Sequence, residues 1–158
     1  MSTTLNMIEL RSGSVADLAL IDQLMQGAFD PRFGEAWTRN QCLGILAMPG
    51  VWLTIAAIDG MPAGFALSRI VADEAELLLL ATVPAMRRRG VAAALLRSVI
   101  SDAISSGAVT LHLEVREGNE AIKLYRGTGF VKVGERRNYY RGTAGQAFHA
   151  YTYSRNLP

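Results

Sequence analysis

Hydrophobic and polar positions along this chain of 158 residues change period several times, and each change predicts a new element. Apolar residues recur every three to four positions after Ser14 and again after Gly90, which is the spacing of one helix face. Other stretches hold short apolar runs bounded by turn residues, which is typical of strands. Strands are predicted over 5–10, 51–58, 61–71, 75–83, 109–116, 130–135 and 147–153, and helices over 14–28, 37–46, 90–107 and 119–126.

The resulting order is β-α-α-β-β-β-α-β-α-β-β, an α/β class (α+β mixed sheet) with helices flanking a central mixed sheet. Asp59-Gly60 is a strong hairpin signal, so the strands over 51–83 form an antiparallel meander. The strands over 75–83 and 109–116 are joined by a helix and are therefore expected to be parallel, with a right-handed crossover. No internal repeat or second-domain boundary is visible, and we expect one domain over 1–158.

Composition narrows the classes of function. Half of the residues are hydrophobic and 19% are charged, which is an ordinary globular balance. A net charge of +2 is too small to suggest a nucleic-acid partner. No apolar run is long enough for a membrane span and no signal-peptide pattern stands at the start. Cys42 is the single cysteine, which indicates a reduced, cytoplasmic location and a buried thiol, and no metal-ligand spacing is present, so no metal is expected.

The segment 84–94 has the pattern of an anion site. A strand ends, a basic turn follows and a helix begins, so unpaired N–H groups and the positive end of the helix dipole would meet there. Gly90 lets the backbone approach a ligand closely, and Arg87, Arg88 and Arg89 add positive charge. A phosphate or pyrophosphate would suit this site, whereas a solvated basic surface is the alternative. Walker and dinucleotide-binding glycine patterns are absent.

The string Arg87-Arg88-Arg89-Gly90-Val91-Ala92 matches the pattern Gln/Arg-x-x-Gly-x-Gly/Ala of the GNAT family of acetyl-CoA-dependent N-acetyltransferases. The order of elements resembles that fold over nearly the whole chain. Within the family, the second half resembles the RimI-type branch, which acetylates the N-terminal alanine of a small-subunit ribosomal protein. The residues that carry this likeness are Leu111-His112-Leu113-Glu114-Val115-Arg116, Asn119, Leu124-Tyr125, Gly129-Phe130 and Arg136-Arg137-Asn138-Tyr139-Tyr140.

The resemblance implies acetyl-CoA as cosubstrate and assigns roles to individual residues. Glu114 would be the general base and Tyr125 the general acid. Asn119 would hydrogen-bond the cosubstrate. Its pantetheine arm would lie along Leu80, Ala81 and Thr82, and its pyrophosphate would bind beside Arg87 at Arg88, Arg89, Gly90, Val91, Ala92 and Ala93.

Acetyl transfer requires a neutral amine and a stabilised leaving thiolate, and Glu114 and Tyr125 can be judged by these two needs. An N-terminal amine has a pKa near 8 and is about one-tenth neutral at pH 7, so a modest base such as Glu114 suffices. An ordinary strand carboxylate paired with Arg116 or another arginine is the alternative. Full proton transfer from Tyr125 to a thiolate would be uphill by about 2 kcal/mol. A hydrogen bond to the leaving thiolate is therefore the safer role, with packing in the core as the alternative.

The acceptor side offers weaker signals. Glu74 and Glu76 could bind an ammonium group or be plain turn and edge carboxylates. Tyr139 and Tyr140, placed in a loop over 136–146, could wall the acceptor groove. Phe33 and Trp37 could flank that groove or pack in the core.

Three functions follow as hypotheses. The first is an Nα-acetyltransferase acting on a protein N-terminus, with a ribosomal protein as one candidate acceptor. The second keeps the chemistry but uses a small amine, polyamine or antibiotic as acceptor. The third is a non-catalytic CoA-binding module, and the presence of both Glu114 and Tyr125 argues against it. A monomer or homodimer is expected.

Overall fold

The computed structural model describes residues 7–158, so the first residues of the predicted strand over 5–10 lie outside the described part. The elements follow the predicted order. The strands are β1 (Ile8–Gly13), β2 (Val51–Ile58), β3 (Met61–Val71), β4 (Glu74–Thr82), β5 (Thr110–Arg116), β6 (Val131–Arg141) and β7 (Ala147–Asn156). The helices are α1 (Leu18–Ala28), α2 (Arg39–Leu46), α3 (Val91–Ser105) and α4 (Ala121–Gly127), with short 3₁₀ turns at Val15–Asp17, Pro31–Phe33 and Pro84–Met86.

Local chemistry explains where several elements begin. Ser14 and Asp17 form a capping box before α1, and Thr38 and Gln41 form another before α2, so both helices start with satisfied N–H groups. The turn between β2 and β3 has positive φ at Asp59 and at Gly60, which is the backbone of a type I′ hairpin. The hairpin signal in the sequence is confirmed.

The strands form one seven-stranded sheet with the order β1-β2-β3-β4-β5-β7-β6. β4 and β5 are parallel, as predicted, but their pairing covers only Glu74–Leu77 against Thr110–Leu113. Beyond Leu77 the two strands diverge, and a gap opens between their C-terminal ends. The clefts described below lie at this gap.

A bulge in β4 turns its side chains from one face of the sheet to the other. Leu67 pairs with Leu79 and Ser68 with Leu77, so Leu78 is the extra residue. One extra residue reverses the alternation of a strand. Leu77 accordingly packs in the core under α3, whereas Leu79 packs in the core under α1 and α2.

The prediction for the region before the last strand was wrong. β6 does not stop near residue 135 but runs to Arg141, so only the short segment 142–146 is a turn. The ladder with β7 resumes after a bulge, where Tyr140 pairs with Phe148, and Asn138 has φ +53° at that bulge. The many Arg, Tyr and Gly residues of this segment are typical of a loop. In the structure its backbone groups are instead hydrogen-bonded to β7, which makes the segment part of a strand.

In the described part of the chain, no helix is both long and apolar enough to cross a membrane.

Candidate active site

Two clefts meet where β4 and β5 diverge. The large cleft has a volume of about 790 Å³ and the small cleft a volume of about 190 Å³. Both are lined by a shared set of side chains, namely Phe29, Glu35, Leu80, Asn119 and Tyr125. These residues are the boundary across which groups bound in the two clefts would touch.

The start of α3 forms one wall of the large cleft. Gly90 is the N-cap residue in the left-handed region, with φ +83° and no side-chain cap. The first N–H groups of α3 are therefore left for an external acceptor. Arg88 is also left-handed, with φ +62°, and its side chain lines the cleft together with Ala92.

The other residues predicted to bind the pyrophosphate differ in whether they reach the cleft. Arg87 lines the cleft, but its Nη2 donates to the Ala28 carbonyl at 2.7 Å, where a cation also suits the end of α1. Arg89 donates to Met86 Sδ. Val91 is buried in the core under α3, so only its backbone could serve a ligand. Ala93 lies on the same first turn of α3, outside the cleft lining.

Gly90 is needed for its backbone conformation more than for space. A Cβ at this position would meet only Ile8 Cδ1, at 3.7 Å, which is an ordinary contact. Its positive φ is the demanding feature, since residues with a side chain rarely adopt it.

The end of β4 forms the opposite wall. Leu80, Ala81 and Thr82 line the large cleft beyond the last β5 partner of the strand. An edge of a strand with polar backbone groups can accept an extended ligand. The predicted pantetheine-binding residues therefore lie together with Arg88 and Ala92 around one cavity.

Tyr125 lies between the two clefts and is only 5% exposed. Its ring packs edge-on against Phe130, with the ring centroids 5.9 Å apart. Burial raises the pKa of Tyr125 well above its ordinary value, and the nearby Tyr140 and Glu35 add to this shift. The phenol therefore stays protonated, and its O–H can donate a hydrogen bond.

Glu114 lines the small cleft and is paired with an arginine. Its Oε1 lies 2.7 Å from Nε of Arg136, and the two side chains are 16% and 61% exposed, respectively. The predicted alternative was a pair with Arg116 or another arginine, and the partner in the structure is Arg136, which lies on β6. Because Arg136 is mostly in solvent, this pair can open without unpacking the core.

Most of the suggested acceptor residues gather at the small cleft. Trp37, Glu76, Tyr139 and Tyr140 line it, whereas Phe33 lines the large cleft. Burial raises the pKa of Tyr140, with the carboxylates of Glu35 and Glu114 as further causes. Glu74 lies at the other end of β4, opposite Thr110, and lines neither cleft.

Glu35 was missed by sequence reasoning, although it lines both clefts. Its Oε1 accepts from Nε of Arg116 at 3.1 Å, and its Oε2 accepts from Nδ2 of Asn119 at 2.9 Å. The sequence signal was weak: Glu35 stands between the two aromatic residues Phe33 and Trp37, separated from each by a small residue. In the structure all three are half-buried, whereas Gly34 and Ala36 are exposed.

Both polar atoms of the Asn119 side chain make hydrogen bonds within the protein. Nδ2 donates to Glu35, and Oδ1 accepts from the backbone N–H of Ala121 at 2.9 Å. The second bond satisfies the N–H of Ala121, the first residue of α4, so this helix begins two residues after the predicted start at residue 119.

Comparisons with known proteins show which family this chain is similar to. A model of the acetyltransferase (GNAT) family matches residues 18–130. The [ribosomal protein bS18]-alanine N-acetyltransferase of Escherichia coli strain K12 is 43% identical over 89 residues, which are 56% of this chain and 60% of that enzyme. Its counterpart in Salmonella typhimurium is 44% identical over 105 residues, covering 66% of this chain and 70% of that enzyme.

Solved structures extend the likeness to nearly the whole chain. The crystal structure of the ribosomal-protein-S18-alanine N-acetyltransferase from Escherichia coli superposes with a TM-score of 0.85 at 30% identity, covering 96% of this chain and 94% of that one. Ard1 from Thermoplasma volcanium superposes with a TM-score of 0.81 at 26% identity, covering 96% and 98% of the two chains. The family match spans most of the described elements, and the chain belongs to the acetyltransferase (GNAT) family.

Proposed function

We propose that this chain is an N-acetyltransferase that moves an acetyl group from acetyl-CoA to the N-terminal α-amine of a protein. The observation that carries the proposal is the meeting of two clefts of opposite character at Tyr125. Arginine and lysine outnumber carboxylates in the large cleft, by five to three, and the charged lining residues of the small cleft are Glu35, Glu76 and Glu114. Such a pair suits an anionic donor and a cationic acceptor.

The sizes of the clefts favour a small terminal residue as acceptor. Pockets for drug-sized ligands and cofactors commonly measure about 300–1,000 Å³, and the large cleft, at about 790 Å³, falls in that range. The small cleft, at about 190 Å³, is below it. An amine and one small side chain suit this volume better than an antibiotic or a polyamine does.

The reaction then follows from the residues at the boundary. The acceptor ammonium enters the small cleft, and Glu114 accepts its proton directly or through one water once Arg136 has moved away. The neutral nitrogen attacks the thioester carbonyl carbon, a C–N bond forms, and the C–S bond breaks. Tyr125 donates a hydrogen bond to the departing thiolate. The nitrogen releases its surplus proton as the amide forms, and one proton is taken up by the thiolate, which leaves as the thiol.

In this proposal the donor lies in the large cleft. Its pyrophosphate accepts hydrogen bonds from the first turn of α3 beside Arg88, and its pantetheine arm runs along Leu80, Ala81 and Thr82. Backbone donors at a helix start need no reorganisation when a charged group binds, which is the reason such sites hold phosphates well.

The relatives named for acetylating the N-terminal alanine of ribosomal protein bS18 suggest the same class of acceptor here. Since the matched region spans about 60% of the Escherichia coli enzyme, bS18 itself is a candidate acceptor to be tested.

The test is a panel of acceptors with labelled acetyl-CoA. It contains peptides with the N-terminal sequence of the organism's own bS18, the same peptides with a blocked N-terminus and one internal lysine, and free polyamines. We expect label only on peptides with a free α-amine. The proposal would be overturned if label appeared on the blocked peptides or the polyamines and not on the peptides with a free α-amine.

A further inference from the structure

Glu35 ties the segment 29–37, which borders both clefts and contributes Phe29, Glu35 and Trp37 to the small one, to a distant part of the chain. Its two hydrogen-bond partners are 81 and 84 residues away in sequence. Arg116 ends β5, and Asn119 precedes α4. The carboxylate therefore joins the loop between α1 and α2 to the gap between the diverging strands.

Arg116 is itself held firmly. Its guanidinium lies 3.7 Å from the ring centroid of Phe33, and its Nη1 donates to the carbonyl of Glu117 at 2.8 Å. The Glu35 and Arg116 side chains are each only 11% exposed. A charge pair that is largely removed from water is strongly coupled, because removing either partner leaves the other charge without compensation.

The segment has a second anchor, which consists of a ring contact and a backbone hydrogen bond and involves no charged side chain. Phe33 packs edge-on against Phe148 with centroids 5.3 Å apart, and the N–H of Thr143 donates to the Pro31 carbonyl. These contacts fix residues 31–33 to the turn after β6 and to the start of β7. Glu35 fixes the part that follows, where Trp37 lines the small cleft.

We propose that Glu35 is a positioning residue for the acceptor: through Arg116 and Asn119 it holds the 29–37 segment in the form that binds the acceptor amine. This inference rests on the proposed function. Glu35 is not the base, because both carboxylate oxygens already accept hydrogen bonds from neighbouring side chains, whereas Glu114 borders the small cleft with a partner that is mostly in solvent.

The experiment compares Glu35→Gln with Glu35→Asp and with a control, Glu135→Gln, which removes an exposed carboxylate paired with Lys132. For Glu35→Gln we expect the KM of an acceptor peptide to rise about 10- to 100-fold, the range for losing a hydrogen bond to a charged group. The kcat and the Kd of acetyl-CoA should change less than about 2-fold. Glu35→Asp keeps the charge and should restore part of the peptide KM, and Glu135→Gln should match the parent protein.

A second readout does not depend on catalysis. Hydrogen–deuterium exchange of the backbone amides of 29–37 should become faster in Glu35→Gln, with α3 unchanged. This arm decides the positioning role even if no peptide is acetylated, so a failure of the proposed function can be told apart from a failure of this inference. The inference is overturned by unchanged exchange in 29–37, by an unchanged peptide KM in an active enzyme, or by an acetyl-CoA Kd that rises as much as the peptide KM. If Glu35→Gln does not fold, the same two measurements on Glu35→Asp decide the positioning role.

Discussion

The two clefts are built in different ways. The side of the large cleft proposed to face the phosphates comes from one continuous stretch, residues 80–92, in which a strand ends and a helix begins. The small cleft collects side chains from the 29–37 segment, β4, β5, α4 and β6. A site made from consecutive residues is encoded locally, whereas a site made from five elements exists only after the sheet has formed.

This difference also separates the effects expected from substitutions. A change in the continuous stretch should alter acetyl-CoA binding alone. A change at a residue that lines the small cleft only, such as Glu76 or Glu114, should alter the acceptor alone. Tyr125 borders both clefts, and a change there should alter the chemical step without weakening either ligand.

The largest effect is expected for Tyr125→Phe, which removes the hydrogen-bond donor at the boundary and keeps the ring. Loss of one such donor lowers kcat by about 100- to 1,000-fold, and the Kd of acetyl-CoA should stay the same. Burial raises the pKa of Tyr125, so the hydroxyl does not lose its proton in the alkaline range of the assay. The pH profiles of the parent and the variant should therefore have the same shape on the alkaline side. Steady-state kinetics check this, with Tyr151→Phe as the control, and full activity in Tyr125→Phe would remove its role.

Glu114→Gln should lower kcat/KM by about 100-fold at pH 7, which is the scale of general-base catalysis. The loss should shrink above pH 8, because an N-terminal amine with a pKa near 8 then becomes neutral without help. A pH series of kcat/KM measures this change. A ratio between parent and variant that is the same at every pH would contradict the assignment of Glu114 as base.

Gly90→Val tests the continuous stretch. A β-branched residue at φ +83° is strained by about 1–3 kcal/mol, and displaced N–H groups should weaken acetyl-CoA binding by about 10-fold. The peptide KM at saturating acetyl-CoA should not change. Calorimetry and thermal unfolding measure the two effects.

Gly60→Val is the matched control, because Gly60 has φ +78° and open space around its Cβ position in a turn that lines neither cleft. It should lose stability like Gly90→Val yet bind acetyl-CoA normally. Weaker binding in both variants would show that strain, and not the site, explains the loss.

The smallest effect is expected for Arg136→Gln. This change removes the cation that competes for Glu114 and leaves the carboxylate in place. Exposed ion pairs contribute about 0.2–1 kcal/mol, so the peptide KM should fall by about 1.5- to 5-fold while the Kd of acetyl-CoA stays constant. A higher peptide KM would mean that Arg136 holds Glu114 in place for the acceptor.

Several features were readable in advance because their signals are short-range. The helix start at Ser14, the Asp59-Gly60 hairpin and the helix start at Gly90 each depend on a few adjacent residues. The parallel pairing of β4 with β5 followed from a general rule of chain crossing and is confirmed. The extent of β6 was wrong because its continuation past residue 135 depends on pairing with β7, and no local signal marks that partner.

By itself, the sequence determined the order of elements, the helix start at Gly90 and the family, since periodicity, caps and a contiguous motif are properties of neighbouring residues. Only the tertiary structure decided that Glu35 reaches Arg116 and Asn119, that Arg136 pairs with Glu114, and that Glu74 lies away from both clefts. The physical reason is that charge pairing and cleft shape depend on distances between residues far apart in the chain. Those distances are set by the register of the sheet and by the point at which β4 and β5 diverge.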